Sequence, residues 1–267
     1  MMTDLSHIYG GDNKERAVNS NKLTTRLDIN KRYQSKDFTE WLFKRLSIVP
    51  GESILDVGCG TGAQSLRFLK EVGQHGSVSA LDLSEDSIEL LINKSGDDTR
   101  LVAVADDMAN LEEVIDRKFR EKKYTLAHSS YALYYSPSRE DVLRTMIESL
   151  YGVGRLAIFT PVTPHGMVDI ARRFGDVPDA VLDSLRYGPD VLEPIFRKAF
   201  VEVEIHYFQS EMRVTNKEDF IDFYKATTYF KEEALPEIGD FADQEISRQG
   251  KICYEKNGYL IIGRDRK

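Results

Sequence analysis

The chain has 267 residues, of which 41% are hydrophobic and 30% are charged, and its formal net charge is −8. This length suffices for a medium-sized domain with a substantial appendage, and the acidic balance argues against a dedicated nucleic-acid binder, which neutralises phosphates with Lys and Arg. No apolar run approaches the roughly 18 residues that a membrane span requires, so no membrane partner is expected.

The two cysteines, Cys59 and Cys253, stand far apart without other thiols. This spacing predicts neither a disulfide framework nor a structural zinc site, and the scattered histidines add no metal-binding pattern. The first residues lack the apolar core of a secretion signal. We therefore expect a cytoplasmic protein that holds no metal and is a monomer or a homodimer.

Residues 1–46 are predicted to form an N-terminal cap segment. Residues 1–35 are polar with mixed charge, so they are expected to order only on a ligand or on the main domain. Asp37 with Glu40 resembles a capping box. The apolar residues behind it have the spacing of an amphipathic docking helix that ends before Pro50: Phe38, Trp41, Leu42 and Leu46.

Residues 47–161 alternate between apolar strands and helical segments. Five strands are predicted in this range: 53–57, 77–82, 101–105, 124–129 and 155–160. Helical segments separate them, and Ser138 with Asp141 begins the last one in a second pattern like a capping box. Such alternation predicts crossover units in a parallel sheet that helices cover on both faces.

The alternation breaks after Pro161. Residues 162–193 are predicted to form a helical lid insertion, and residues 194–267 are predicted to complete the sheet with strands at 201–208 and 259–263. A second helical insertion is predicted between these strands, at about 212–250. The predicted fold is a doubly wound, mostly parallel seven-stranded α/β sheet with an N-terminal helical cap and helical lid insertions.

The first predicted strand-to-helix turn lies in the stretch ILDVGCGTGAQS, residues 54–65. In a doubly wound sheet, ligands bind at the carboxyl ends of the strands where this turn lies. Gly58, Gly60 and Gly62 let the backbone approach a ligand closely, and the following helix presents free amide groups. Taken alone, the turn predicts only a nucleotide-like ligand.

A dinucleotide-binding turn is the competing interpretation. Gly58, Gly60 and Ala63 fit the loose G-x-G-x-x-G/A pattern, and Asp82 lies about 20 residues further on. Asp56 separates the two, because a carboxylate two residues before the first glycine would repel a pyrophosphate and favour a cationic ligand such as a sulfonium.

The segment D-V-G-C-G-T-G at residues 56–62 resembles the cofactor motif of class I S-adenosylmethionine-dependent methyltransferases, in particular those of small-molecule type. Three further segments follow in the expected order. The second strand ends in L-D-L-S, the third is followed by D-D-M-A-N-L, and the fourth runs YTLAHSSYALYY. The resemblance covers residues 52–160 and implies a Rossmann-like methyltransferase fold with S-adenosylmethionine as cofactor.

The resemblance implies roles for individual residues. Asp82 would accept hydrogen bonds from the ribose hydroxyls, Asp107 would face the adenine amino group, and Met108 would flank the ring. The full predicted cofactor set is Tyr33, Asp56, Gly58, Gly60, Gly62, Asp82, Leu83, Asp107, Met108 and Ser129. Thr125 departs from the family, since many members carry Asp there. Of the pair Asp106-Asp107, Asp107 is assigned to the adenine because it fits the D-M-A-N-L register better.

Residues at the end of the fourth strand are candidates for the acceptor side. His128, Tyr131 and Tyr134 are predicted as catalytic residues, with Ser130 and Tyr135 beside them. The alternative for the tyrosines is helix packing, and for His128 it is a satisfied core histidine. A general base is needed only if the acceptor starts protonated.

Weaker candidates lie elsewhere in the chain. In the N-terminal segment, Tyr9, Arg32 and Tyr33 are expected either to close over the cofactor or to form a solvated surface. Arg172, Arg173 and Arg186 are expected either to bind an acidic substrate or to form a solvated helix face. His165 is a second candidate for the general base. Cys59 is interpreted as a small turn residue, because no histidine lies near it in sequence.

The predicted function is methyl transfer to an oxygen or nitrogen of a small-molecule acceptor by in-line displacement. The lid-like insertions and the acidic charge favour this over the alternatives, which are a methyltransferase acting on tRNA or a protein and a non-catalytic cofactor-binding module. A nicotinamide-dependent oxidoreductase is a more distant alternative.

Overall fold

The structure, a computed structural model, describes residues 19–267. One sheet contains seven strands: β1 (Ser53–Val57), β2 (Ser77–Asp82), β3 (Leu101–Ala105), β4 (Tyr124–Ser130), β5 (Leu150–His165), β6 (Phe200–Val214) and β7 (Ile252–Arg266). Their order is β3-β2-β1-β4-β5-β7-β6, with β1 to β5 parallel and β7 antiparallel to both β5 and β6. This topology confirms the predicted fold class.

Helices connect and cover these strands: α1 (Ser20–Tyr33), α2 (Phe38–Leu46), α3 (Ala63–Glu71), α4 (Glu85–Ser95), α5 (Leu111–Arg117), α6 (Arg139–Glu148), α7 (Gly166–Phe174), α8 (Asp179–Arg186), α9 (Glu193–Ala199), α10 (Lys217–Lys225) and α11 (Leu235–Gln249). Helices α7 to α9 lie between β5 and β6, and α10 and α11 lie between β6 and β7. None of these helices is both long and apolar enough to cross a lipid bilayer.

Each face of the sheet carries its own apolar layer. On one face, Phe43 of α2 and Phe68 of α3 pack with their ring centroids 4.9 Å apart, in a cluster with Ile54 and Leu260 of the sheet. On the other face, α5, α6 and α9 pack on the sheet in a cluster that includes Phe196. Burying each large apolar side chain contributes roughly 1.5–3 kcal/mol, so the two layers hold the strand ends in place.

Helix α1 is a structural element that the sequence analysis did not predict. The Asn19 side chain caps it by accepting a hydrogen bond from the N–H of Lys22 at 3.0 Å. Ile29 is buried, and α1 contacts α10 and β6. Residues 19–33 therefore order on the main domain, as expected for this polar segment. They form a helix because tertiary contacts supply the stability that their few apolar residues do not.

The last three strands are longer than predicted. Strands β6 and β7 pair from Phe200 opposite Arg266 to Val214 opposite Ile252, well beyond the apolar segments recognised in the sequence. Their outer parts alternate between buried and exposed residues, so only the most apolar stretches stood out. The insertion between them consequently begins after Val214.

The two predicted capping boxes differ. Asp37 Oδ1 accepts a hydrogen bond from the N–H of Glu40 at 2.9 Å, as expected at the start of α2. Ser138 makes no side-chain capping bond at the start of α6, because its backbone is not in the extended conformation that N-caps adopt. The helix begins where the pattern predicts, but the expected side-chain cap is absent.

A buried ion pair fixes α2 against the sheet. The guanidinium of Arg155 on β5 donates to both carboxylate oxygens of Glu52, with Nη2 2.8 Å from Oε2, and its Nε donates to the carbonyl of Leu46 at 3.2 Å. The pair joins the end of α2, the start of β1 and β5. It lies at the amino end of the parallel strands and leaves the carboxyl ends free for a site.

Candidate active site

The turn between β1 and α3 exposes bare backbone. Gly58, Gly60 and Gly62 have φ of +74°, +54° and +82°, a region in which side chains are strained. A Cβ on Gly58 would lie 2.1 Å from Cβ of Ala132, and a Cβ on Gly60 would lie 2.8 Å from Leu23 Cδ2. The turn therefore lies between the loop after β4 and helix α1.

Asp82, the last residue of β2, organises this turn. Its Oδ2 accepts a hydrogen bond from the N–H of Gly60 at 2.7 Å, and its Oδ1 accepts one from the N–H of Ser84 at 3.0 Å. Burial raises the pKa of Asp82, and the backbone donors oppose that rise. A carboxylate offers about four acceptor positions, so capacity remains for the hydroxyls of a ligand.

The two aspartates after β3 have different environments. Lys118 donates to Asp106 at 2.6 Å and is the main cause of the lowered pKa of that carboxyl. Asp107 instead caps the short helical turn that begins at Met108. The Met108 side chain lies beside the glycine turn, since its Cε is 3.8 Å from a Cβ built on Gly58. Asp106 is thus paired with Lys118, whereas the segment of Asp107 and Met108 lies beside the glycine turn.

Leu83 and Ser129 have opposite exposures. Leu83 follows Asp82 and is 36% exposed, so its side chain is available to a ligand. Ser129 has no exposed surface, and its hydroxyl has no hydrogen-bond partner among the described residues. Its side chain does not line the site, so the predicted cofactor contact of Ser129 could be made only by its backbone and stays a prediction.

A buried hydrogen-bond network runs from α3 through β1 to the end of β4. Ser65 Oγ donates to Asp56 Oδ2 at 2.5 Å, and Asp56 Oδ1 lies 2.9 Å from His128 Nδ1. His128 Nε2 lies 2.9 Å from Ser130 Oγ. Because an ionised carboxylate only accepts hydrogen bonds, Nδ1 carries the proton and Nε2 accepts from Ser130.

This network bears on the predicted roles of Asp56 and His128. The carboxylate of Asp56 is 1% exposed, and both of its oxygens have partners inside the protein, so its charge does not face a ligand. His128 is also 1% exposed, so it reaches the site only through the half-buried Ser130. Both of its ring nitrogens have hydrogen-bond partners, as in the alternative interpretation of a core histidine.

Tyr131 has a strained backbone directly after β4. Its φ is +57°, which is unusual for a bulky residue and persists only where the surrounding structure holds it. Its N–H donates to the carbonyl of Phe159 at 3.0 Å, and its ring packs 4.8 Å from the Phe159 ring and 5.7 Å from that of Phe38. These contacts fix the position of Tyr131. Because the next residue, Ala132, approaches the glycine turn, Tyr131 also lies near that turn.

Tyr134 lies deeper than expected for a residue that touches an acceptor. It is 5% exposed, and its ring centroid is 4.6 Å from that of Tyr135. Burial raises the pKa of Tyr134 and of Tyr131, so both hydroxyls remain protonated near neutral pH. Neither hydroxyl can therefore act as a base, and the burial of Tyr134 agrees with the helix-packing alternative for this residue.

The N-terminal candidates bind another part of the protein. Arg32 donates two hydrogen bonds to Asp219, at 2.6 and 2.9 Å, and the hydroxyl of Tyr33 donates to the same carboxylate at 2.6 Å. Asp219 lies in the first turn of α10, so this cluster fastens α1 to the second insertion. Tyr33 thus makes a structural contact with Asp219, its contact with a cofactor stays a prediction, and Tyr9 lies outside the described residues.

Most remaining candidates lie away from the turn. Arg172, Arg173 and Arg186 are exposed. Thr125 sits at the amino end of β4, where its hydroxyl bonds the backbone of Ser53. Cys59 is buried, and burial and the two nearby aspartates raise the pKa of its thiol, as suits an inert turn residue.

Three residues near the site had no signal in the sequence. Leu23 covers Gly60 from α1, Arg26 lies one turn further along that helix, and Lys256 of β7 places Nζ 5.8 Å from the ring centroid of Tyr131. Only the packing of α1 and the β7 register bring them here. Within residues 19–267, no cluster of three or more His, Cys, Asp or Glu could hold a metal ion.

The chain is similar to methyltransferases over much of its length. A family described as a methyltransferase domain matches residues 48–198. Aklanonic acid methyltransferase DauC of Streptomyces sp. (strain C5) is 29% identical over 152 residues, covering 54% of this chain and 66% of that protein. A demethylmenaquinone methyltransferase of Listeria monocytogenes is 26% identical over 126 residues, 46% of this chain and 50% of that protein. The chain spans about half to two thirds of the length of these curated relatives.

Solved structures share the fold at low sequence identity. A protein from Bacillus halodurans C-125 superposes with a TM-score of 0.60 at 16% identity, covering 86% of this chain and 99% of that one. The Haemonchus contortus phosphoethanolamine N-methyltransferase 2 has a TM-score of 0.53 at 14% identity, over 86% of this chain and 52% of that one. Likeness at this identity shows the fold alone.

Proposed function

Because the methyltransferase domain match covers residues 48–198, more than half of the 267 residues, the chain belongs to the methyltransferase family, and we propose that it transfers a methyl group from S-adenosylmethionine to an oxygen or nitrogen of a small-molecule acceptor. The observation that carries this proposal is the convergence of Asp82, Met108 and Ala132 on the glycine turn. S-adenosylmethionine, when bound, supplies an electrophilic methyl group on a sulfonium whose leaving thioether is neutral.

The residues at the turn fit this cofactor. Gly62 begins α3 without a side-chain cap, so the first amide groups of the helix are free to bind a carboxylate. Asp82 retains acceptor capacity for ribose hydroxyls, and Met108 offers an apolar face for a planar base. We assign these three groups to the carboxylate, ribose and adenine of the cofactor, with Leu83 and Asp107 beside them.

A proton relay at the end of β4 would serve an acceptor with a hydroxyl group. The acceptor O–H would donate to Ser130 Oγ, whose own proton is already directed to His128 Nε2 at 2.9 Å. As the acceptor oxygen loses its proton to Ser130, Ser130 passes its proton to Nε2. The resulting imidazolium is stabilised by Asp56, whose Oδ1 lies 2.9 Å from Nδ1.

The small-molecule acceptor is supported by two further observations. The relatives described above are named for aklanonic acid and demethylmenaquinone, both small molecules. In this chain, α1 lies over the glycine turn through Leu23, and Asp219 fastens α1 to the second insertion. A covered site favours an enclosed small acceptor over tRNA or a protein side chain.

Calorimetric titration with S-adenosylhomocysteine tests the cofactor. We expect micromolar binding and no binding of reduced nicotinamide cofactor. Gly60→Arg should abolish binding, because the new side chain would occupy the turn where Leu23 already lies 2.8 Å from a Cβ. Gly51→Arg is the matched control, since Gly51 also has positive φ but has nothing within 4 Å. Equal affinities of Gly60→Arg and the parent protein would contradict the assignment.

Turnover is tested separately. The protein is incubated with S-adenosylmethionine and a panel of phenols, amines and carboxylic acids, and release of S-adenosylhomocysteine is measured. Tight cofactor binding without turnover of any small molecule would favour the non-catalytic module or a macromolecular acceptor. A salt-sensitive complex with RNA would identify the latter.

A further inference from the structure

Polar side chains gather on the sheet face beyond Tyr131. Lys256 of β7 lies with Nζ 5.8 Å from the Tyr131 ring centroid. His165 of β5 is the register partner of Lys256 in the antiparallel pair, so both side chains leave the sheet on one face. Tyr254 precedes Lys256 by two residues on the same strand and projects from that face as well.

Helix α1 adds a second positive charge. Arg26 lies one helical turn after Leu23, which covers Gly60, and its charge is a secondary cause of the lowered pKa of Lys256, after burial. Tyr229 interacts with Tyr254. We refer to Arg26, Tyr131, His165, Tyr229, Tyr254 and Lys256 as the lysine-tyrosine cluster.

The cations of this cluster have no carboxylate partner in the described part of the chain. Neither Arg26 nor Lys256 forms an ion pair with an Asp or Glu of residues 19–267, and the charged group that acts on Lys256 is Arg26. Burial, with Arg26 as a second cause, lowers the pKa of Lys256 to about 7. Lys256 and Arg26 are both half-buried, and a partly desolvated cation without a partner is stabilised when it binds an anion.

The rest of the cluster offers aromatic faces and unused hydrogen-bonding groups. The Tyr254 hydroxyl and His165 Nδ1 are buried without a hydrogen-bond partner among the described residues. Burial, with the nearby Lys256, lowers the pKa of His165 to about 4, so its imidazole is neutral and adds no third charge. Tyrosine rings accommodate a planar aromatic molecule, and their hydroxyls bind its oxygen atoms.

We propose that the lysine-tyrosine cluster binds the acceptor and that the acceptor is an aromatic carboxylate whose negative charge is neutralised by Lys256 and Arg26. This inference rests on the proposed methyl transfer and adds the substrate class to it. The placement is consistent with the reaction, because Tyr131 is followed by Ala132, which contacts the glycine turn at Gly58. An aromatic ring bound against Tyr131 would therefore lie near that turn.

The test compares acids with their uncharged amides. The full-length protein, with and without saturating S-adenosylhomocysteine, is titrated with hydroxybenzoates and hydroxynaphthoates and with the corresponding amides. We expect the acids to bind at least tenfold more tightly than the amides. Lys256→Met should remove this preference, Lys256→Arg should retain it, and Lys251→Met, one residue before the same strand, should leave it unchanged.

Proton uptake provides a second readout. An anion favours the charged form of Lys256, so acid binding at pH 8 should take up to about one proton, measured by calorimetry in two buffers of different ionisation enthalpy. The tyrosines of the cluster and His165 keep their protonation at that pH, since the pKa values of the tyrosines are raised and that of His165 is lowered to about 4. The uptake should vanish in Lys256→Met.

Each outcome decides the proposal. If S-adenosylhomocysteine binds but the amides bind as tightly as the acids, or none of the compounds binds, the inference is overturned and methyl transfer stands. If the acids are preferred while S-adenosylhomocysteine does not bind, the anion site stands and the proposed methyl transfer fails. Retained preference in Lys256→Met with an intact fold would also overturn the inference.

Discussion

His128 and Asp56 are paired positions on the neighbouring parallel strands β4 and β1, and their side chains meet with Nδ1 2.9 Å from Oδ1. The pairing follows from the register, because residues directly opposite each other in adjacent strands project from the same face. The histidine is thereby held in one tautomer, with Nε2 directed at Ser130. A group at the end of β4 is thus coupled to a buried base.

Ser130→Ala tests this coupling without leaving a buried charge unpaired. For a hydroxyl acceptor, we expect kcat to fall by roughly 10²-fold or more, since general-base assistance contributes about 10²–10⁴-fold, while affinity for S-adenosylhomocysteine stays the same. Ser149→Ala is the control, because it removes a buried hydroxyl at the amino end of the sheet. An unchanged kcat in Ser130→Ala would show that the relay carries no proton.

Gly58→Ala is expected to affect both stability and cofactor binding. The new Cβ would lie 2.1 Å from Cβ of Ala132, so the loop after β4 must move, and the residue would also keep the strained φ of +74°. Gly96→Ala has a similar φ of +64° but nothing within 4 Å, so it should cost only the strain of about 1–2 kcal/mol. Urea unfolding should show a larger loss for Gly58→Ala, and equal losses in the two variants would contradict the close approach to Ala132.

Much of the sheet could be predicted from the sequence, because buried parallel strands are continuous apolar runs and the glycine turn is a local pattern. Helix α1 could not be predicted in the same way. Its apolar residues are few, and its position depends on Asp219, which lies far along the chain. Local composition contains no information about such a contact.

The candidate site was predictable in part, for the same physical reason. Asp82 and Met108 belong to local motifs at strand ends, so their approach to the turn follows from the strand order. The inward orientation of Asp56 depends on the identity of its neighbour across the sheet, His128, which periodicity does not reveal. Lys256 lies in no motif and reaches Tyr131 only through the register of β7 with β5.

His165 predicts a specific pH dependence of stability. Its pKa is about 4 in the folded protein, lowered by burial and by Lys256, against about 6.5 in the unfolded chain. Between these values the unfolded chain binds a proton that the folded protein does not, so stability is full above pH 6.5 and is lost as the pH falls toward 4. The loss has an upper limit of about 3 kcal/mol.

The prediction is checked by urea unfolding at pH 7.5 and pH 4.5. His165→Asn should lose less stability between these pH values than the parent protein does. His75→Asn is the control, because His75 is exposed. If His165→Asn and the parent protein show the same pH dependence, then His165 is not buried as a neutral imidazole.

Asp219 is expected to control access to the glycine turn. It accepts hydrogen bonds from Arg32 and Tyr33 at the end of α1, while Leu23, nearer the start of that helix, lies over Gly60. A ligand at the turn contacts the surface that α1 covers, so α1 must loosen for entry and is stabilised when the ligand is bound. Asp219→Ala should therefore increase amide hydrogen exchange in residues 20–33 and raise the dissociation rate of S-adenosylhomocysteine.

Asp243→Ala, which breaks the exposed pair with Lys217 on the same helix α10, serves as the control. Faster exchange in α1 with an unchanged dissociation rate would mean that α1 packs on the domain without controlling entry to the turn.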